Sequence, residues 1–492
     1  MPARISRNPQ SLREVWPALA GLSAVFLFEM LDNSILNIAL PTIGRELHAS
    51  ATALQWIVGA YAMAFGGLML AFGAMADRFG RRRMMLVGLG LLAVASLLTV
   101  LVQNAGELVA VRMCIGIAAA MTTPGTIALA FRLFEEDKLR IRAISVITTV
   151  GLVGLAAGPI VGGLLLSCLP WQALLLVNVP IALLAFVGIR SGIVPEEPHE
   201  LHPAPIDVAG ALLGTATIFL AIASPTLFVD EGSGKLLPWA AGVAALISAI
   251  LFVVRERTTK HPLVDAGLVG QRLVSSGLAY KAATGLAMAG LGYMISLQLQ
   301  LDWCWSPALA SLGMLPLVVT LLLAGFVVEK FVDRVGIHKA ALLGSLSVLA
   351  GLGLYGTLGT SSYVFVAMTQ ICIAVGLRIV GVVAGVNVMK GTPRNRTSIG
   401  AALVDTTDQI TSAVSVAIAG SILAALFRGN ITKDKWTALQ TAQFHEAVSL
   451  SAWILALPAA LLIGWAFART HESSRPVEPA ARLPSLGGEP DR

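Results

Sequence analysis

Apolar runs long enough to cross a lipid bilayer follow one another along almost the whole chain, separated by short polar connections. A helix needs about 20 apolar residues to cross the hydrocarbon core. Runs of that order lie near residues 16–40, 55–75, 84–103, 108–131, 142–166, 172–190, 206–227, 237–254, 276–299, 306–328, 340–358, 363–389, 398–426 and 447–467. A polar shell cannot be built around such a chain, because only 13% of its 492 residues are charged, against about 25% in an ordinary globular protein. Lipid must be the outer solvent, so the expected fold class is an all-α membrane protein with fourteen transmembrane helices. Abundant glycine, 48 residues, suits helices that pack through small side chains.

The net charge of +6 would raise the question of nucleic acid in a soluble protein. Here the basic residues sit in short loops, where they orient helices, and no nucleic-acid partner is expected. With both termini cytoplasmic, about 26 of the 34 Lys and Arg fall on the inside, among them Arg78, Arg81, Arg82, Arg83, Arg132, Lys138, Arg140, Arg142, Arg255, Arg257 and Lys260. The outside loops hold only Arg45, Lys235, Arg428, Lys433 and Lys435. Cys114, Cys168, Cys304 and Cys372 are scattered without a CxxC pair or a histidine cluster, so no metal site is expected. The basic N-terminus leads into an apolar run too long for a cleavable signal.

The chain also repeats itself. Asp77-Arg78-Phe79-Gly80 follows the second span and Asp333-Arg334-Val335-Gly336 follows the tenth, each preceded by a glycine (Gly73, Gly325) and followed by basic residues. Two six-helix halves that rock about a central site would give this pattern. The expected organisation is a cytoplasmic N-terminus (1–15), a first half (16–190), two inserted helices with their loops (191–260), a second half (261–467) and a cytoplasmic, disordered tail (468–492). At the inside loops, Asp77 can meet a helix N-terminus and the arginines can meet acidic residues of other helices, contacts that would latch one state of the transporter. Simple topological anchoring is the plainer reading of Arg81–Arg83.

Charges inside spans are expensive and mark functional positions. Glu29 and Asp32 share a face of the first span, and Asp32 lies about 24 Å along the helix from Trp16. Asp405 and Asp408 repeat this spacing on the thirteenth span. Arg112 and Arg378 take comparable places in the fourth and twelfth spans; Arg112 is expected to face the first helix and act on Asp32 or Glu29. Lys281 is expected near the inner boundary with its amine reaching headgroups. A proton and a cationic substrate can compete for a desolvated carboxylate, the minimum chemistry of antiport. Buried hydrogen bonding, or pairing with Arg112, is the alternative account of Asp32 and Glu29, and a watery vestibule that of Asp405 and Asp408. Gly151, Gly154, Gly158 and Gly162 share a face of the fifth span, which lets a neighbour approach closely, and Pro159 would bend that helix.

These segments together resemble the major facilitator superfamily, in particular its fourteen-span drug:proton antiporter branch, which includes the QacA-type multidrug exporters. Gly73-Ala-Met-Ala-Asp77-Arg78-Phe-Gly80-Arg81-Arg82-Arg83 looks like the superfamily's loop after the second helix. Leu31-Asp32-Asn-Ser34-Ile-Leu-Asn37-Ile-Ala39-Leu40-Pro41 looks like the first-helix signature, with Ser34 where Thr is usual. Gly154, Gly158, Pro159, Gly162 and Gly163 look like the antiporter motif. Arg112-Met-Cys-Ile-Gly116 resembles the fourth-helix motif, with Ile115 where Gln is usual. Trp171, Asn178 and Pro180 resemble the start of the sixth helix.

The resemblance implies the major facilitator fold in a bacterial cytoplasmic membrane, and proton-coupled export of hydrophobic or cationic drugs and antibiotics. No cofactor is implied beyond the proton gradient; the partners are a small-molecule substrate, protons and lipid, and the chain is expected to be monomeric. The acidic residues of the thirteenth span fit a cation-handling site, whereas Leu315–Leu323 lacks the acid that some dication exporters carry. Arg378 is not demanded by the family and would suit an anionic or zwitterionic substrate. A transporter dedicated to one metabolite, whether exporter or importing symporter, is the competing reading. An ATP-driven pump is disfavoured because Gly232-Ser-Gly-Lys235 lacks phosphate-loop spacing. Enzymes are disfavoured by the absence of HExxH and GxSxG motifs.

Overall fold

The computed structural model describes residues 11–473, apart from 135, 197–206, 232–233, 260–261, 264–265, 393–396 and 434. The first ten residues, most of the expected tail and part of the Gly232–Lys235 stretch lie outside the described residues.

The chain forms α1 (Trp16–Glu46), α2 (Ala51–Phe79), α3 (Arg81–Leu98), α4 (Ala105–Arg132), α5 (Asp137–Cys168), α6 (Gln172–Leu176), α7 (Asn178–Gly192), α8 (Val208–Glu231) and α9 (Leu236–Thr258). There follow α10 (Ala266–Gly270), α11 (Arg272–Leu297), α12 (Pro307–Gly313), α13 (Leu315–Val335), α14 (Ile337–Leu358), α15 (Tyr363–Gly391), α16 (Thr397–Leu426) and α17 (Ala438–Ser473). Among the described residues, fourteen segments are long and apolar enough to cross a membrane. Several are longer than their apolar runs suggest. The last begins at Ala438 rather than 447, because polar Gln440, Gln443 and His445 extend it beyond the hydrophobic stretch.

Two spans are broken where proline removes a backbone donor. α6 gives way to α7 at Val177, with Pro180 just beyond, and α12 gives way to α13 at Met314, with Pro316 just beyond. At the second break Gln370 of α15 replaces the missing partners. Its amide donates to the Gly313 carbonyl at 2.9 Å and its oxygen accepts from Leu317 N–H at 3.2 Å.

Packing repeats with the sequence. α1 lies against α5 and α7, as α11 lies against α16 and α17; α4 contacts α2 and α3, as α15 contacts α13 and α14. Between the two sets, α2 packs on α16 on one flank and α5 packs on α12 and α13 on the other, a pair of contacts that the repeat interchanges. α8 and α9 form a hairpin whose α8 leans on both α2 and α16. Gln55 of α2 donates to Thr226 of α8 at 2.6 Å, and Thr215 of α8 donates to the Gly67 carbonyl at 2.7 Å.

The exterior is apolar, as lipid requires: Leu246, Ile250 and Val254 of α9 and Leu457 and Leu461 of α17 are all exposed. Charge is instead taken inward, with Glu29, Asp32 and Arg112 buried. The duplicated Asp-Arg-x-Gly ends in the same backbone geometry twice. Gly80 has φ +101° and Gly336 has φ +87°, and each closes one helix while opening the next. Such positive φ values favour glycine, which explains why that residue recurs in both copies.

Candidate functional site

The carboxylates of α1 lead to two separate clusters. Arg112 Nη1 donates to Asp32 Oδ2 at 2.6 Å, and Asn178 Nδ2 donates to Asp32 Oδ1 at 2.9 Å. The guanidinium also lies over the Tyr61 ring, 4.5 Å from its centroid. Asp32 is 0% and Arg112 1% exposed, so this pair is sealed. A break at the start of α7 places Asn178 there. The sequence expectation that Arg112 faces α1 agrees with this geometry, which puts the guanidinium on Asp32 and not on Glu29. Asn178 entered the sequence reading only through the resemblance of the sixth helix, with no contact to Asp32 assigned to it.

Among the described residues, Glu29 receives only neutral donors: Thr123 Oγ1 at 3.1 Å, and Gln409 Nε2 of α16 at 3.4 Å. The second of these crosses from one half to the other. Asp405 and Asp408 are close enough to act electrostatically on Glu29, as is Lys281. Lys281 differs from its sequence expectation. Its Nζ lies 3.1 Å from Asp408 Oδ1, on the face of α11 that meets α16, instead of extending to a headgroup. About nine residues into α11, an ammonium is some 13 Å from the helix start, and a carboxylate beside it offsets the cost of that depth. Gly285, one turn further along α11, provides the room: a Cβ there would stand 3.1 Å from Asp408 Oδ1 and would collide with Thr411 Oγ1.

Arg378 stands apart from these clusters. Its guanidinium lies on Gly325 of α13, where a Cβ would collide with Nη2, and it has no ion pair among the described residues. Gly325, read in the sequence as the glycine before the second Asp-Arg-x-Gly, therefore makes space for Arg378.

The glycine face of α5 meets α1. A Cβ at Gly154 would lie 2.8 Å from the Leu27 carbonyl, one at Gly158 would run into Ser34 Oγ, and one at Gly162 would lie 2.8 Å from Ile35 Cγ1. Gly163 turns to the second half, where a Cβ would lie 2.6 Å from the Pro307 carbonyl. Pro159 is accommodated within α5, which continues through it to Cys168.

Where α2 passes into α3, Gly73 faces Pro124, Arg81 Nη2 pairs with Asp77 Oδ1 at 2.7 Å, and Arg78 lies over the Phe79 ring. Glu196, unremarked in the sequence, gathers the neighbourhood. Its Oε1 accepts from Arg82 N–H at 3.3 Å and lies 3.4 Å from Arg132 Nη1. These pairs join the first half to the segment that directly follows it and do not reach the second half. Asp333 and Arg334, the corresponding residues of the second half, are exposed.

Hydrogen bonds between the halves gather at the end away from these basic loops. Arg45 reaches the Gln300 carbonyl at 3.5 Å, and Gln300 Nε2 donates to the Ile38 carbonyl at 2.9 Å. Ser296 donates to the Asn37 carbonyl, and Gln55 donates to the Ala417 carbonyl at 3.0 Å and to Ser421 Oγ at 3.3 Å. That end is closed.

Comparison with known proteins places this geometry in a family. A model described as Major Facilitator Superfamily matches residues 22–416. The multidrug efflux pump LfrA of Mycolicibacterium smegmatis is 29% identical over 462 residues, 93% of this chain and 91% of that protein. The puromycin resistance protein pur8 of Streptomyces alboniger is 30% identical over 412 residues, 83% of this chain and 81% of that protein. Among solved structures, a POT family transporter has a TM-score of 0.67 at 15% identity, with 95% of this chain and 99% of that one covered. The D-xylose-proton symporter has a TM-score of 0.62 at 14% identity, with 93% and 97% covered. These two show the fold alone. Fourteen apolar helices and bacterial relatives make this a multi-pass protein of the bacterial cytoplasmic membrane. The chain belongs to the Major Facilitator Superfamily, a family of transporters.

Proposed function

We propose that the protein exports hydrophobic or cationic drugs in exchange for protons by alternating access. The observation that carries this reading is Glu29: a buried carboxylate at the meeting of the halves, held by neutral donors, with Asp405 and Asp408 across the interface. Such a group can take up or release a proton without stranding a cation. Asp32 is instead committed to the buried Arg112 guanidinium as its counter-ion. Asp32 and Arg112 therefore fix the fold of the first half around α1, and Glu29 exchanges the proton. Relatives named as efflux and resistance proteins support export as the direction.

The positive-inside rule puts both termini and the basic loops in the cytoplasm, so the far end, closed here, faces out. A cationic substrate that enters between the halves from the cytoplasmic side meets Glu29 and Asp405 and displaces the proton. Reorientation breaks the outer hydrogen bonds, and Asp77, Arg78, Arg81 and the arginines beside them become free to pair across the inner end. Protonation from outside then expels the cargo. Each charge that crosses the potential supplies about 2.3 kcal/mol per 100 mV. The glycines of α5 keep that helix against α1, so the helix carrying Glu29 and the flank contacting α12 move together.

The unpaired Arg378 favours a second reading, export of one dedicated anionic or zwitterionic metabolite. Everted vesicles decide between the readings. Under an imposed proton gradient, wild-type vesicles should accumulate ethidium, and Glu29→Gln should abolish uphill uptake while the protein still reaches the membrane. Uphill uptake at the wild-type rate by Glu29→Gln would remove Glu29 from coupling. Uptake of zwitterionic but not cationic compounds would favour the second reading.

A further inference from the structure

The central cluster contains three carboxylates, Glu29, Asp405 and Asp408, and one lysine. They do not share that lysine equally, because Lys281 Nζ is in direct contact with Asp408 Oδ1 at 3.1 Å. The contact is built into the backbone. Gly285 leaves the surface of α11 open so that Asp408 and Thr411 can lie on it. Thr411 donates to the carbonyls of Thr407 and Asp408, which holds that turn of α16 in place. The pair also remains accessible. The Lys281 side chain is 22% exposed and that of Asp408 33%, whereas the Asp32–Arg112 pair is closed off.

We propose that Lys281 is a specificity-determining residue: a resident counter-ion that occupies Asp408 and so limits the substrate site to one positive centre. The inference rests on the reading of this cluster as a cation site. With Lys281 in place, Glu29 and Asp405 are the carboxylates left for substrate or proton. Without it, Asp408 becomes a second anchor about a turn of helix from Asp405, and a molecule with two separated positive charges can span the two. The same ammonium repels a second cationic centre, so it selects both by occupancy and by charge.

The test is equilibrium binding to the purified full chain in detergent, with tetraphenylphosphonium as monocation and methyl viologen as dication. In Lys281→Met the dication-to-monocation affinity ratio should rise about tenfold, and Lys281→Arg should keep the wild-type ratio. Lys281→Met/Asp408→Asn should lose the gain. Lys281→Cys in a chain without its native cysteines supplies a control within one preparation. An aminoethyl thiosulfonate, which restores the ammonium, should restore the ratio, and a methyl thiosulfonate should not. An unchanged ratio in Lys281→Met and in both labelled forms, with the wild type binding tetraphenylphosphonium, overturns the assignment of Lys281 alone. Failure of the wild type to bind either cation overturns the cation-site reading and the assignment with it.

Discussion

Glu29 and Asp32 stand one helical turn apart on α1, and only one of them has a cation. Their surroundings differ accordingly. Asp32 accepts a charge-assisted bond of 2.6 Å from Arg112 and a second bond from Asn178, both in a sealed pocket. Removing one partner of a buried ion pair strands the other charge and costs about 3–5 kcal/mol, whereas removing both costs much less. Asp32→Asn and Arg112→Met should therefore each lower thermal stability markedly in detergent, and the double variant should recover most of the loss. Full additivity of the two losses would show that the pair contributes nothing as a pair. The pairing of Arg112 with α1 was legible in the sequence, since an intramembrane arginine needs an acid and α1 offered two. Which acid it takes was not, because that depends on Asn178, and the position of Asn178 depends on a helix break. Lys281 was misplaced for a related reason. Its depth is readable from the sequence, but the helix it faces is not, and neither is the space that Gly285 leaves for Asp408.

At the scale of elements, the glycine stripe of α5 shows how absent side chains position charged ones. Gly154, Gly158 and Gly162 let α5 lie directly on the stretch of α1 that runs from Leu27 to Ile35. Gly158→Val should push α1 away and cost about 1–3 kcal/mol, the usual penalty of overpacking. Dye efflux should fall even where the protein accumulates normally in the membrane. Normal efflux with unchanged thermal stability would show that the close approach is dispensable. The spacing of these glycines announced a close neighbour but did not name it. Spans were readable from apolar length alone, whereas their interruptions depend on Pro180 and Pro316 together with distant groups such as Gln370 that satisfy the exposed backbone.

For the whole molecule, the twofold pattern was visible in two tetrapeptides and is repeated in the packing, where α2 with α16 and α5 with α12 form equivalent flanks. Contacts across the halves were beyond the sequence: Glu29 and Gln409 are 380 positions apart, and nothing local marks Gln409 as a partner. The closed end makes a prediction at this scale. Cysteines at Asn37 and Ser296, in a chain without its native cysteines, should be joined by a short bifunctional thiol reagent. Joining them should block transport, and reduction should restore it. Transport that survives complete cross-linking would mean that the halves need not part there.

The hydrogen bonds that close this end have an unequal ancestry. Apart from the contact with Ser421, their acceptors are main-chain carbonyls, of Asn37, Ile38, Gln300 and Ala417. A carbonyl belongs to every residue type, so drift at those positions leaves the acceptor standing. Apart from Ser421, only the donors Arg45, Gln55, Ser296 and Gln300 can be lost by substitution. Mutations selected for faster opening would thus concentrate at these four positions, while the cavity between the halves stays free to change its cargo.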